Sequence, residues 1–194
     1  MFPDRKEAEK MLAEAETINP GPWGDHSRMV AKCAQRIAVS CGMDGEKAYI
    51  LGLLHDIGRR YGVTHLAHVT DGYKYLIELG YDEAAKVCIT HSFGVKNIDN
   101  YIGNRDISQE DYELLLRLIE TYEYDDYDRL IQLCDSIAFP DRIVDLKTRM
   151  DDVERRYGAA YPLSKRQKNY ELKEYFEEKM GRNLYEAVMD CPQK

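Results

Sequence analysis

His55 and Asp56 stand side by side at the end of an apolar run, Leu51-Gly52-Leu53-Leu54, where a solvated charge is out of place. Around this doublet, in chain order, lie His26, His68, His91 and Asp135. Each falls at the end of a predicted helix and continues that helix's apolar stripe, so each points toward the interior. Imidazole and carboxylate without thiolate make a ligand mix that suits zinc, manganese, iron or nickel rather than calcium. The six side chains could hold one or two divalent transition metal ions, with iron or manganese expected first and zinc, nickel and cobalt compatible. Neighbours on a helix diverge by about 100°, so His55 and Asp56 need not serve one ion, and an aspartate can bridge two ions with its two oxygens. The segments around Asp56 and Asp135 show no obvious buried arginine or lysine, and a metal ion is the expected counter-charge.

Taken singly, a histidine on an apolar stripe is more often a hydrogen-bonded core residue than a ligand. Here four of the five histidines fall at inward-facing helix ends beside the doublet. His65 is the spare. Gly72, one turn beyond His68 on the same helix, is expected to leave space for an ion beside that ring. Arg59, Arg60 and Arg142 are the candidate phosphate partners, because guanidinium forks match phosphate oxygens and the chain is otherwise acidic.

These residues need helices to hold them, and the pattern is helical almost throughout. A first helix is expected over about 5–17, stopped by Asn19-Pro20-Gly21-Pro22. Another begins near Trp23 and runs through Val30, Cys33, Ala34 and Ile37. Further helices are expected over about 45–57, ended by Gly58; over about 68–79; and from about 82 to the His91 region. A loop of about fourteen residues, long enough to be a lid, precedes a helix over about 108–122 with a cap-like acidic start. The next starts at Asp125 and carries Asp135. A charged, tyrosine-rich helical tail spans about 163–190.

The predicted fold class is an all-α, compact bundle. With 194 residues the chain is read as a single domain, 1–194, with a core over about 20–145 and a helical extension over about 146–194. A net charge of −8 argues against nucleic-acid polymers and anionic membranes as partners. No run approaches a membrane span, and Met1-Phe2-Pro3-Asp4-Arg5-Lys6 has no apolar signal core, so the cytoplasm is the expected compartment. Cysteines 33, 41, 88, 134 and 191 form no C-x-x-C pair and are read as reduced thiols.

The order His26, then His55-Asp56, then Asp135 on a helical scaffold resembles the HD-domain metal-dependent phosphohydrolase superfamily over about residues 20–145. The phrases Pro20-Gly21-Pro22-Trp23-Gly24-Asp25-His26-Ser27 and Gly52-Leu53-Leu54-His55-Asp56-Ile57-Gly58 carry the likeness. The resemblance implies a first metal on His26, His55, Asp56 and Asp135, with Asp56 bridging to a second on His68 and His91. Asp56 and His55 would be the catalytic pair. It implies hydrolysis of a small phosphorylated substrate, a nucleotide or dinucleoside polyphosphate among the candidates, by metal-activated water. Ser92 and Asp71-Gly72-Tyr73-Lys74 depart from the signature of the cyclic-dinucleotide branch. A di-iron oxygenase on the same ligands and a non-catalytic nucleotide-sensing module are the alternative readings. A homodimer is compatible with either.

Overall fold

The computed structural model describes residues 1–189, so Asp190 and Cys191 lie outside the described residues. Ten α-helices follow one another: α1 (Arg5–Ile18), α2 (Trp23–Ser40), α3 (Gly45–Leu54), α4 (Ala67–Glu78), α5 (Asp82–Thr90), α6 (Gln109–Thr121), α7 (Asp126–Asp135), α8 (Leu146–Tyr157), α9 (Leu163–Met180) and α10 (Leu184–Met189). Short 3-10 turns occupy Ile57–Tyr61 and Ile98–Asn100. The described residues contain no strand beyond one isolated antiparallel bridge between Ala138 and Ile143. The protein is all-α, as the periodicity predicts.

α3 is the central helix. Asp44 caps it by accepting from the backbone N–H groups of Glu46 and Lys47, and every residue from Ala48 to Leu54 is buried. An all-round apolar helix has no solvent face to present and so fits only the middle of a bundle. Each of Ile50, Leu51, Leu53 and Leu54 contributes about 2 kcal/mol by leaving water. α2 lies directly against it: a Cβ on Gly52 would come within 2.9 Å of Ala31 Cα, so only glycine permits the approach. The inward face of α2 is Val30, Ala31, Cys33, Ala34, Ile37 and Ala38, and His26 opens it.

The helix predicted over 45–57 stops earlier, at Leu54, with His55 in the cap position and Asp56 bending the chain (φ −107°, ψ 15°) into the 3-10 turn. The role of Gly58 also differs from a helix stop. A Cβ there would sit 2.0 Å from the His68 carbonyl oxygen and 2.5 Å from the Gly72 amide nitrogen. Gly72 is the other half of this crossing: its own Cβ would meet Cys88 Sγ at 3.0 Å and Gly58 N at 3.1 Å. The space expected for an ion beside His68 is therefore filled by packed backbone. The two glycines let the His55-Asp56 turn and α4 touch, and that contact brings His68 to Asp56.

One cluster of buried apolar residues runs from Ala8 in α1 to Val188 in α10, so the extension shares the core. A smaller cluster of Leu66, Val69, Ile89, Phe93, Ile98, Leu115 and Ile119 lies under the connection between α5 and α6. Ile98 is only 5% exposed, which pins the middle of the lid-length loop. Ser108 caps α6, and Asp125 with Asp128 forms a capping box on α7, both as the acidic starts predict. Cys41, Cys88 and Cys134 are free thiols. None of the described helices is long and apolar enough to cross a membrane.

Candidate metal centre

Five elements deliver the six predicted ligands to one place. His26 comes from the first turn of α2, His55 from the cap of α3, and Asp56 from the bend after it. His68 lies in the first turn of α4, His91 in the cap of α5, and Asp135 at the end of α7.

Backbone carbonyls set the orientation of three rings. His55 Nδ1 donates to Gly52 O at 2.7 Å, His91 Nδ1 donates to Val87 O at 3.1 Å, and His68 Nδ1 donates to His65 O. A ring whose Nδ1 carries the proton turns the lone pair on Nε2 inward, the form a metal requires. His68 Nε2 and His91 Nε2 face each other at 3.4 Å. Asp56 Oδ1 lies 3.2 Å from the first and 3.6 Å from the second. On the other side, His26 Nε2 is 3.0 Å from Asp135 Oδ1. His55 Nε2 is buried without any hydrogen-bond partner.

The donor atoms thus form two groups, His26 with His55 and Asp135, and Asp56 with His68 and His91, each within 4.8 Å. The residues fit divalent ions on two counts. An orphaned, fully buried Nε2 on His55 is costly in the protein alone, and the Nε2 atoms of His68 and His91, whose Nδ1 atoms are turned to backbone carbonyls, converge on Asp56 Oδ1 as an imidazole and carboxylate donor set, with His91 Nε2 also 3.0 Å from Ser92 Oγ. Asp56 groups with His68 and His91, the side to which the resemblance has it bridge. Its Oδ2 remains 4.0 Å from His55 Nε2, so Asp56 stands at the junction of both groups.

The electrostatics favour the ligating protonation states. Burial lowers the pKa of His55, and burial with His55 as neighbour pushes His91 down to about 3. Burial alone would raise Asp56, but the Arg59 guanidinium, with the adjacent His68 and His55, holds it well below the usual carboxylate range. Asp135 is likewise held down against burial, by His26, His55 and Arg149.

Two expectations need correction. Asp56 does have a cation: Arg59 Nε donates to its Oδ2 at 2.5 Å, and Arg59 Nη1 donates to Thr64 O at 3.4 Å. Asp135 has Arg149 of α8, Nη2 to Oδ1, at 3.8 Å. The carboxylates are therefore compensated without an ion, and the imidazoles carry the case for metal. Of the other candidates, Arg142 lines the cleft above the site and pairs with Asp141 at 2.7 Å, whereas Arg60 stacks 4.0 Å over the Tyr75 ring and does not line the cleft. His65 supports His68 through its carbonyl, and its own ring lies beside Tyr157.

His26, Asp56, His68, His91 and Asp135 lie at the base of a cleft of about 780 Å³, whose walls include Trp23, Arg59, Tyr101, Arg142, Arg155 and Arg156. Arg149, Lys165, Arg155 and Arg156 are residues that sequence patterning missed. Lys165 of α9 donates from Nζ to Ser92 O at 3.3 Å, and burial lowers its pKa. The charged runs of α8 and α9 read as solvated helix faces, with no local signal that one side meets the site.

An all-α bundle with histidine and aspartate converging from five elements defines a helical metal-binding domain. The model of the HD domain family matches residues 23–139, more than half of the 194, and the chain belongs to that family. Its members are mostly metal-dependent hydrolases. No curated protein and no solved structure matches the chain.

Proposed function

We propose that the protein is a metal-dependent phosphohydrolase acting on a nucleotide, a dinucleoside polyphosphate or another small phosphoester or phosphoanhydride. The observation that carries this reading is the pair of His/Asp groups at the base of an arginine-walled cleft, in a chain whose net charge is −8. Five arginines, Arg59, Arg142, Arg149, Arg155 and Arg156, line the cleft against four aspartates, Asp56, Asp135, Asp141 and Asp152, a slight cationic excess that favours a small anion in an otherwise acidic protein. A cleft of about 780 Å³ is of the size that encloses a nucleotide-like ligand.

His26, His55 and Asp135 would hold one ion and Asp56, His68 and His91 the other, with iron or manganese first among the candidates. Bound there, divalent ions lower the pKa of water and hold phosphoryl oxygens for in-line attack. The protein's own contribution is to keep His55 and His91 neutral through burial and to hold the Asp56 and Asp135 carboxylates ionised, with Arg59 orienting Asp56. Arg59, Arg142, Arg155 and Arg156 would take the substrate's remaining phosphate oxygens. Asp56, ionised and at the junction of the groups, would accept a hydrogen bond from the attacking water.

The test is a panel of nucleoside mono-, di- and triphosphates, dinucleoside polyphosphates and simple aryl phosphates, assayed with Mn²⁺ or Fe²⁺ with and without dioxygen. Phosphate release independent of dioxygen, and lost in Asp56→Asn, is expected. Turnover that consumes dioxygen would replace hydrolysis with oxygenation. Tight nucleotide binding without turnover under any added metal would make the site a sensor.

A further inference from the structure

We propose that Asp106, in the connection between α5 and α6, is a positioning residue that aims the His68 ring at the metal centre. His68 depends on the chain just before it. Its Nδ1 donates to His65 O, and that bond turns Nε2 toward Asp56 and His91. What holds His65 O in place therefore decides where the ligand atom points.

Residues 65–67 lead into α4, and Leu66, in its cap position, accepts nothing through its side chain. The first N–H groups of a helix need acceptors from elsewhere. Here one segment of the connection supplies them: His65 N donates to Asp106 Oδ2 at 2.7 Å, Leu66 N to Asn104 O at 3.3 Å, and Ala67 N to Asp106 Oδ1 at 3.0 Å. The middle bond acts on the ring most directly. Leu66 N–H and His65 C=O belong to one planar trans peptide and point opposite ways, so fixing the amide on Asn104 aims the carbonyl at His68. Asp106 grips the amides on either side of that peptide, one with each oxygen.

The Asp106 carboxyl is partly desolvated, yet the backbone N–H groups of His65 and Ala67 hold it below the usual carboxylate range, and a charged acceptor makes the stronger hydrogen bond. Gly103 lets the segment approach. Its φ of +136° suits glycine, and a Cβ there would stand 3.1 Å from His65 Nδ1. Tyr101 and Ile102 of the same segment line the cleft, so one stretch of chain serves both the cleft wall and the ligand ring. The consequence for metal rests on the two-ion reading of the site, whereas the hold on the ring does not.

The experiment compares the full-length chain with Asp106→Ala and with Ser108→Ala, which removes the neighbouring cap of α6. In metal-stripped protein at pH 8, nitrogen NMR shifts report the tautomer of each histidine, and His68→Ala assigns the signal. Asp106→Ala should move His68 from the Nδ1–H form toward a mixture, and Ser108→Ala should not. In calorimetric Mn²⁺ titrations, the binding that His68→Ala abolishes should weaken roughly tenfold or more in Asp106→Ala and hold in Ser108→Ala. Asp106→Asn keeps one acceptor oxygen and should fall between, and it serves in place of Asp106→Ala should that variant fail to fold. An unchanged His68 tautomer, Mn²⁺ binding as tight as in the parent, or equal losses in Asp106→Ala and Ser108→Ala would overturn the proposal and leave Asp106 a helix cap alone. A parent chain that binds no Mn²⁺ would count against the two-ion reading, while the tautomer would still decide the role of Asp106.

Discussion

Asp56 divides its two oxygens between the histidines and an arginine: Oδ1 lies 3.2 Å from His68 Nε2, while Oδ2 accepts from Arg59 Nε at 2.5 Å. Arg59 therefore orients the carboxylate at the junction of the two ligand groups. Partners of this kind typically contribute 10- to 100-fold to metal affinity or activity. Arg59→Ala is expected to weaken Mn²⁺ binding at the Asp56/His68/His91 group by roughly tenfold or more, and Arg59→Lys to restore it only in part, since an ammonium lacks the planar fork. Metal titration followed by calorimetry checks this. Unchanged affinity in Arg59→Ala would leave the arginine with substrate alone.

The buried histidines predict how the metal-free protein responds to acid. His91 stays neutral down to about pH 3 and His55 is lowered as well, while unfolded histidine titrates near pH 6.5. Over the interval between, the unfolded chain binds more protons, so stability is complete above about pH 6.5 and is lost as pH falls toward the folded values. The lowered carboxylates of Asp56 and Asp135 act in the same direction below about pH 4. Each histidine contributes at most about 1.4 kcal/mol per pH unit. The urea midpoint of metal-free protein should be flat near pH 7 to 8 and fall steadily on going to pH 4.5. A flat profile to pH 4.5 would contradict the neutral, buried state of these rings.

Gly58 and Gly72 supply a structural test. In Gly58→Ala the new methyl would meet the α4 backbone at two points, His68 O at 2.0 Å and Gly72 N at 2.5 Å, and backbone cannot rotate away. Overpacking of this kind costs about 3 kcal/mol, and here it also parts Asp56 from His68. Loss of both stability and metal is expected. Gly42→Ala is the control: its φ of +71° imposes a cost of about 1 kcal/mol, but nothing lies within 4 Å, so metal content should hold.

Helical spacing was enough to identify the six ligand candidates, because positions three and four apart share a face and each candidate prolongs an apolar stripe. The structure brings all six together. α3 was legible as a helix, yet not its end: an all-apolar run gives no phase, and the bend at Asp56 follows from the contact of Gly58 with α4, far along the chain. The same holds for Gly72, whose missing side chain serves packing and not an ion. The partners of the carboxylates split by distance. Arg59 is three residues from Asp56, within reach of it on one helical turn, whereas Arg149 and Lys165 lie in charged helices whose composition matches any solvated face. Only the docking of α8 and α9 onto the shared core shows which of their cations turn inward.

Metal content per chain tests the central claim most directly. Protein purified anaerobically, without chelator or nickel resin, would be analysed for iron, manganese, zinc, cobalt and nickel, beside His68→Ala and His26→Ala variants. Close to two equivalents in the parent chain, falling to about one in either variant, is the expected result. A chain that carries no metal, even after reconstitution with each ion in turn, would contradict it and reduce the converging histidines to a polar core.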